Sequence, residues 1–80
     1  ASLIDIYPNP GKNELYISSR ENFNGPSQIL IANTAGEIIL QKQIWFNSVY
    51  KLNTSDLSQG IYLIQVINDK NISTLKWIKN

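Results

Sequence analysis

The sequence predicts an all-β fold, an antiparallel β-sandwich of about seven strands. Apolar or alternating segments recur along the chain, and turn-forming residues separate them near positions 10, 23, 35, 47, 57 and 70. A spacing of roughly 12 residues between turns is typical of a small sandwich. Thirteen isoleucines with no cysteine or methionine indicate a β-rich core that packs without disulfide bonds. No segment has the period of an amphipathic helix.

The strands are predicted at residues 3–7, 14–18, 28–32, 37–44, 49–52, 61–67 and 72–79. The first must end before Pro8 and Pro10, because neither proline has an N–H to give to a neighbouring strand. The second and third alternate apolar and polar residues, as expected of strands with one face on the core. Residues 20–26 between them are predicted to form a loop, with Asn24-Gly25-Pro26 as its turn signal.

A hairpin turn at residues 33–36 leads into the fourth strand and needs Gly36 in a left-handed conformation. Residues 38–40 are all apolar, so the pattern does not determine which face of that strand points inward. Trp45 and Phe46 begin a predicted corner at residues 45–48, which precedes the short fifth strand. A four-residue loop at 68–71 joins the last two strands.

Residues 56–67 combine a turn with a long and almost entirely apolar predicted strand. Asp56 and Ser58 can bond nearby backbone N–H groups, and Gly60 can adopt a positive φ. Because Gly36 and Gly60 are both expected to have a positive φ, alanine at either position should destabilise the fold by roughly 1 kcal/mol or more. Only Gln65 is polar in residues 61–67, which predicts a central strand covered on most of both sides.

Tyr62 is the second residue of that strand, just after the corner. A Greek-key sandwich places a tyrosine there whose hydroxyl bonds back to the corner, here to residues 56–59, and this predicts an immunoglobulin-like sandwich. The alternative is that Tyr62 is an ordinary half-buried strand residue.

Length and charge limit the function. Eighty residues predict a single domain, residues 1–80, and a scattered net charge of +1 argues against nucleic acid or an anionic membrane as a partner. No apolar run approaches the roughly 18 residues of a membrane span, and any N-terminal export signal is expected outside this stretch.

The absence of histidine and cysteine excludes Ser-His-Asp and Cys-His catalysis and nearly every transition-metal site. The carboxylates are isolated in sequence, and no glycine-rich phosphate loop occurs. We therefore expect no enzymatic activity, no metal and no cofactor.

Three aromatic residues and two sequons leave alternatives open. Trp45, Phe46 and Tyr50 are expected to be buried at the corner, the alternative being an exposed platform for a sugar. Asn53-Thr54-Ser55 and Asn71-Ile72-Ser73 match the glycosylation sequon, but turn chemistry is the favoured interpretation.

Five stretches stand in a recognisable order: residues 6–10 (IYPNP), 15–17 (LYI), 31–36 (IANTAG), 57–62 (LSQGIY) and 76–80 (KWIKN). Their order, spacing and overall length of about 80 residues resemble the type A C-terminal sorting domain of the type IX secretion system. Ala32 stands where that family often has Tyr, and Trp77 where it often has a smaller aliphatic residue.

The resemblance implies an immunoglobulin-like sandwich that does no chemistry and addresses an attached cargo protein across the outer membrane of a Gram-negative bacterium. The implied partners are the outer-membrane translocon, its shuttle protein, and a sortase-type cysteine peptidase that cuts in the linker before the domain and attaches the cargo to the surface. The implied location is the periplasm in transit, then the outer membrane and cell surface or the extracellular space. The implied sorting-motif residues are Tyr7, Pro8, Asn9, Pro10, Gly36, Leu57, Gly60, Tyr62, Lys76 and Lys79.

Lys76 and Lys79 are expected to project outward from the last strand, where a receptor can reach them. The alternative is that they are solvated lysines that protect a sheet edge. Two other functions would suit the same fold: an accessory module such as a fibronectin-like spacer or carbohydrate-binding module, and a protein-binding adhesion domain with an exposed apolar face.

Overall fold

A computed structural model describes residues 3–20, 24–69 and 71–80, which form seven β-strands and no helix. The strands are β1 (Ile4–Tyr7), β2 (Glu14–Ser19), β3 (Asn24–Asn33), β4 (Ile38–Asn47), β5 (Val49–Asn53), β6 (Gly60–Ile67) and β7 (Ile72–Lys79). They form two antiparallel sheets with the orders β1-β2-β5 and β4-β3-β6-β7. The predicted seven-stranded sandwich is confirmed.

The core lies between the two sheets because each strand turns alternate residues inward. Leu15 and Ile17 of β2 are completely buried, as are Ile29 and Ile31 of β3, in agreement with the predicted alternation. The remaining buried apolar residues are Ile4, Phe46, Leu52, Tyr62, Ile64, Val66 and Trp77.

The expectation that β6 is covered on most of both sides is wrong. Tyr62, Ile64 and Val66 are buried, whereas Ile61 and Leu63 between them are 43% and 45% exposed. β6 is central in its sheet, between β3 and β7, but a two-layer sandwich has no third layer to cover the outer face.

Parts of two predicted loops are strand instead. Asn24-Gly25-Pro26 begins β3, and the predicted loop also includes residues 21–23, which lie outside the described residues. β4 continues through Phe46 to Asn47, and the chain reverses at Ser48, whose φ is 61°. The residues that predicted these turns pair with a neighbouring strand instead, since Asn24 stands opposite Asn47 in the β3–β4 ladder.

This longer β4 separates the aromatic residues of the predicted corner. Phe46 is buried as expected, but Trp45 is 69% exposed, because adjacent residues of a strand point to opposite faces. Tyr50 is half-buried against the core and lies opposite the buried Ile17. The three rings therefore do not form a shared platform.

Turn chemistry explains the loops that remain. Gly36 has a φ of 83° and Gly60 a φ of 154°, which confirms both positive-φ predictions. The Asn53 side chain accepts a hydrogen bond from the N–H of Ser55 at 2.8 Å, as expected of a turn. The 68–71 loop is closed by the N–H of Asn68, which donates to the carbonyl of Asn71 at 3.0 Å, and Lys70 lies outside the described residues.

The tyrosine corner is present. Tyr62 Oη donates to the carbonyl oxygen of Ser58 at 2.6 Å, and the ring is buried. Tyr62→Phe should lower the free energy of unfolding by about 1–2 kcal/mol, because the Ser58 carbonyl loses its partner. Urea denaturation measures this loss. Tyr50→Phe is the control, since the Tyr50 hydroxyl bonds to no described residue, and equal losses in the two variants would contradict the role of the corner bond.

Candidate functional site at the C-terminal pole

The resembling stretches meet at one end of the sandwich. β1 and β5 end there, β2 and β6 begin there, and β7 ends there at Lys79, which pairs with Gly60. We call this end the C-terminal pole. β1 begins at the opposite end, where Ile4 pairs with Ser19.

The side chain of Asn9 joins the proline turn to the last strand. Its Nδ2 donates to the carbonyl oxygen of Lys76 at 2.9 Å, and its Oδ1 accepts from the N–H of Ile78 at 3.0 Å. The amide therefore satisfies one donor and one acceptor on the outer edge of β7, as a neighbouring strand would. Pro8 to Pro10 leave β1 as a turn, as predicted, and the structure places that turn on β7.

Gly11 extends this contact. Its N–H donates to the carbonyl of Ile78 at 2.9 Å, and its own carbonyl accepts from the N–H of Asn80 at 2.8 Å. A Cβ at this position would lie 2.8 Å from Pro8 O and 2.9 Å from Trp77 Cζ2, so the close approach requires glycine. Gly11 was not among the predicted site residues, although a glycine directly after Pro-Asn-Pro was a visible signal.

Trp77 forms the floor of the contact. It is fully buried, and its Nε1–H donates to the carbonyl of Pro8 at 2.8 Å. Its ring centroid lies 6.3 Å from that of Tyr62, so the corner tyrosine and the last strand pack together. The larger residue at this position thus has its hydrogen-bond partner in the proline turn.

The prediction that Lys79 projects outward is wrong. Lys79 is only 7% exposed, and its Nζ donates to the carbonyl oxygens of Thr54 at 2.5 Å and Leu57 at 2.6 Å. Lys79 lies two residues after Trp77 and so shares its inward face, whereas Lys76 is exposed. Lys79 therefore binds the β5–β6 corner through the carbonyls of Thr54 and Leu57.

Thr54 connects the same corner to the residues before β2. Its Oγ1 donates to the carbonyl of Lys12 at 2.9 Å, and its N–H donates to the carbonyl of Asn13 at 2.9 Å. Thr54 is 1% exposed. Sequence reasoning treated it only as part of a sequon and missed this role.

An open groove of about 560 Å³ lies on this pole, lined by Pro8, Pro10, Gly11, Lys12, Asn13, Glu14, Tyr16 and Asn80. Tyr7 stacks on Tyr16, one of the lining residues, with ring centroids 5.5 Å apart. Lys51, 3.3 Å from Glu14, and then the Tyr16 hydroxyl at 3.1 Å hold the pKa of the Glu14 carboxyl below its ordinary 4.5. Glu14 is therefore ionised at neutral pH.

Gly36 lies in the β3–β4 hairpin at the same end of the four-stranded sheet, since Asn33 pairs with Tyr62. It is two strands from β7, outside the contact between the proline turn and the last strand. The structure thus joins Asn9 to Lys76, Lys79 to Leu57, and both Pro8 and Tyr62 to Trp77, while Gly36 stands apart.

The described residues contain no group of three or more His, Cys, Asp or Glu side chains that could hold a metal ion. Within those residues, no helix is long and apolar enough to cross a membrane. The C-terminal pole has an open groove, the exposed ring of Tyr7 and a few charged side chains, and such a surface suits recognition by another protein.

No curated protein matches the chain. The family model described as the secretion system C-terminal sorting domain matches residues 5–80, nearly the whole sequence. That family contains the type A sorting signals of type IX secretion, through which proteins are exported toward the outer membrane or cell surface. The chain therefore belongs to the family of secretion system C-terminal sorting domains and is a sorting signal that interacts with the type IX secretion machinery.

Proposed function

We propose that this domain is the last domain of a longer cargo protein and is read, at its C-terminal pole, by the outer-membrane translocon and its shuttle protein. The cargo passes through the periplasm. A sortase-type cysteine peptidase cuts in the linker before the domain and attaches the cargo to the cell surface. The domain itself performs no catalysis.

The observation that carries this proposal is the pairing of Asn9 with Lys76 and Ile78, residues 67 and 69 positions away. The two most distant stretches of the family pattern form one surface, beside the groove of about 560 Å³. A receptor that binds this surface reads a folded domain, because the unfolded chain does not bring these stretches together.

The position of β1 supports the same arrangement. β1 begins at the pole opposite the groove, so cargo joined before Ile4 leaves the C-terminal pole accessible. The receptor and the peptidase therefore act at opposite ends of a domain about 30 Å long.

The test is export of a periplasmic reporter fused before residues 1–80 in a host with the type IX system. Lys12→Glu and Lys76→Glu change exposed side chains at the C-terminal pole and should leave the fold intact, since the Lys12 and Lys76 carbonyls keep their partners. We expect the unmodified fusion to reach the cell surface with the domain removed, and the double variant to remain in the periplasm.

Asn71→Glu is the matched control, because it adds a carboxylate at an exposed position near the opposite pole. It should be exported normally. Circular dichroism of each purified domain separates loss of fold from loss of signal. Export of a folded Lys12→Glu, Lys76→Glu variant at the normal rate would exclude the C-terminal pole as the recognised surface.

A further inference from the structure

The four sheet edges of the sandwich differ in how they are protected. β1 and β5 have four and five residues, and short edge strands offer little to a partner. The outer edge of β7 is covered at Lys76, Ile78 and Asn80 by Asn9 and Gly11. β4 has ten residues and no proline, and it pairs on one side only, with β3.

The backbone groups at the open edge of β4 can be identified from the ladder. The N–H of Asn33 in β3 bonds to the carbonyl of Glu37, so alternate residues of β3, including Ile29, point their backbone groups toward β4. Ile29 pairs with Lys42. The adjacent residues Gln41 and Gln43 therefore point their N–H and C=O groups away from β3, and neither bonds to any described residue outside the ladder.

The outer face beside this edge has exposed apolar residues at both ends of β4, with the exposed Gln41 and Gln43 between them. Trp45 is 69% exposed and Ile38 57% exposed. Ile38 also borders a hollow of about 220 Å³ on the outer face of the four-stranded sheet, which Leu30 and Leu63 help to line. An added strand that places an apolar side chain on this face would cover these residues.

The charge of Lys42 indicates whether the open edge of β4 binds a second copy of this chain or a different protein. Lys42 is the only charged residue of β4. Antiparallel pairing of two β4 edges near their centres brings the two Lys42 side chains within about 5–8 Å, and like charges at that distance destabilise a strand pair. A strand with a carboxylate opposite Lys42 gains from the same position.

We propose that the open edge of β4 binds an extended segment of a partner protein by strand addition, and that this segment carries an acidic residue opposite Lys42. Backbone hydrogen bonds to Gln41 and Gln43 supply affinity, while Lys42, Ile38 and Trp45 select the side chains. This surface is separate from the contact between the proline turn and β7.

The test uses a synthetic nonapeptide of alternating valine and threonine with one central glutamate, added to the isotope-labelled domain. We expect amide exchange of Gln41 and Gln43 to slow. Replacing the peptide's glutamate by lysine should weaken binding about tenfold or more, and Gln43→Pro in the domain should weaken it similarly. Thr74→Pro, at an uncovered position on the β7 edge, should leave binding unchanged.

No protection of the β4 amides, equal binding of the glutamate and lysine peptides, or loss of binding only in Thr74→Pro would overturn the proposal. Circular dichroism establishes that both proline variants are folded, and Gln41→Pro replaces Gln43→Pro if the latter is not, because Gln41 also points its N–H away from β3. Sedimentation tests the choice of partner. The unmodified domain should be monomeric and Lys42→Thr should associate more strongly, whereas a dimer that Gln43→Pro dissociates would identify a second copy as the occupant.

Discussion

Trp77→Ala is expected to remove about 3–5 kcal/mol of stability, the cost typical of deleting a large buried aromatic side chain. Trp77 is fully buried, packs with Tyr62 and Gly11, and donates to the carbonyl of Pro8. A domain of 80 residues has a stability on the order of 4–12 kcal/mol, so the variant should be largely unfolded at moderate urea concentrations. Urea denaturation followed by circular dichroism measures the loss.

Trp45→Ala is the control for the tryptophan substitution. Trp45 lies on the outer face of β4 and is 69% exposed, so its loss should cost about 1 kcal/mol or less. Similar losses in the two variants would contradict the assignment of Trp77 as the floor of the C-terminal pole.

Lys79→Ala is expected to cost about 2–4 kcal/mol, and Lys76→Ala no more than about 0.5 kcal/mol. The Lys79 ammonium donates to the Thr54 and Leu57 carbonyls, and no carboxylate among the described residues forms a salt bridge with it. Removing it leaves both carbonyls without this donor. Urea melts of the two single variants measure the difference.

Lys79→Met separates the two causes of that loss. Methionine keeps an apolar stem of similar length but donates no hydrogen bond, so a cost of about 1–3 kcal/mol in Lys79→Met assigns the effect to the lost donors. A Lys79→Met variant as stable as the unmodified domain would show that the hydrogen bonds from Lys79 to Thr54 and Leu57 do not stabilise the fold. Because Lys79 is buried, a combined Lys76 and Lys79 variant cannot separate signal from fold, and export is better tested with exposed residues.

Local chemistry determined most of the strand pattern. The two prolines at positions 8 and 10 end β1 because they lack N–H groups, and Gly36 and Gly60 have the positive φ that their turns require. The corner position of Tyr62 predicted its bond to Ser58, because a buried phenol in this fold has its acceptor in the preceding turn.

The order of family stretches also determined the assignment as a sorting domain, which the family match over residues 5–80 confirms. The length of β3 and β4 was not predictable in this way. Turn signals at Asn24-Gly25-Pro26 and at Trp45-Phe46 are local, whereas the part of the ladder that extends both strands joins residues 19 to 23 positions apart.

Only the tertiary structure decided which side chains at the C-terminal pole are available to a partner. Lys76 and Lys79 have the same chemistry in the sequence, but the face of β7 that meets the core buries Lys79 and leaves Lys76 exposed. In the sequence Asn9 is an ordinary turn residue, and only the structure shows that its side chain bonds to β7. Both outcomes depend on how two sheets pack across the full length of the chain, and hydrogen bonds between residues 67 and 69 positions apart leave no periodic trace in a sequence.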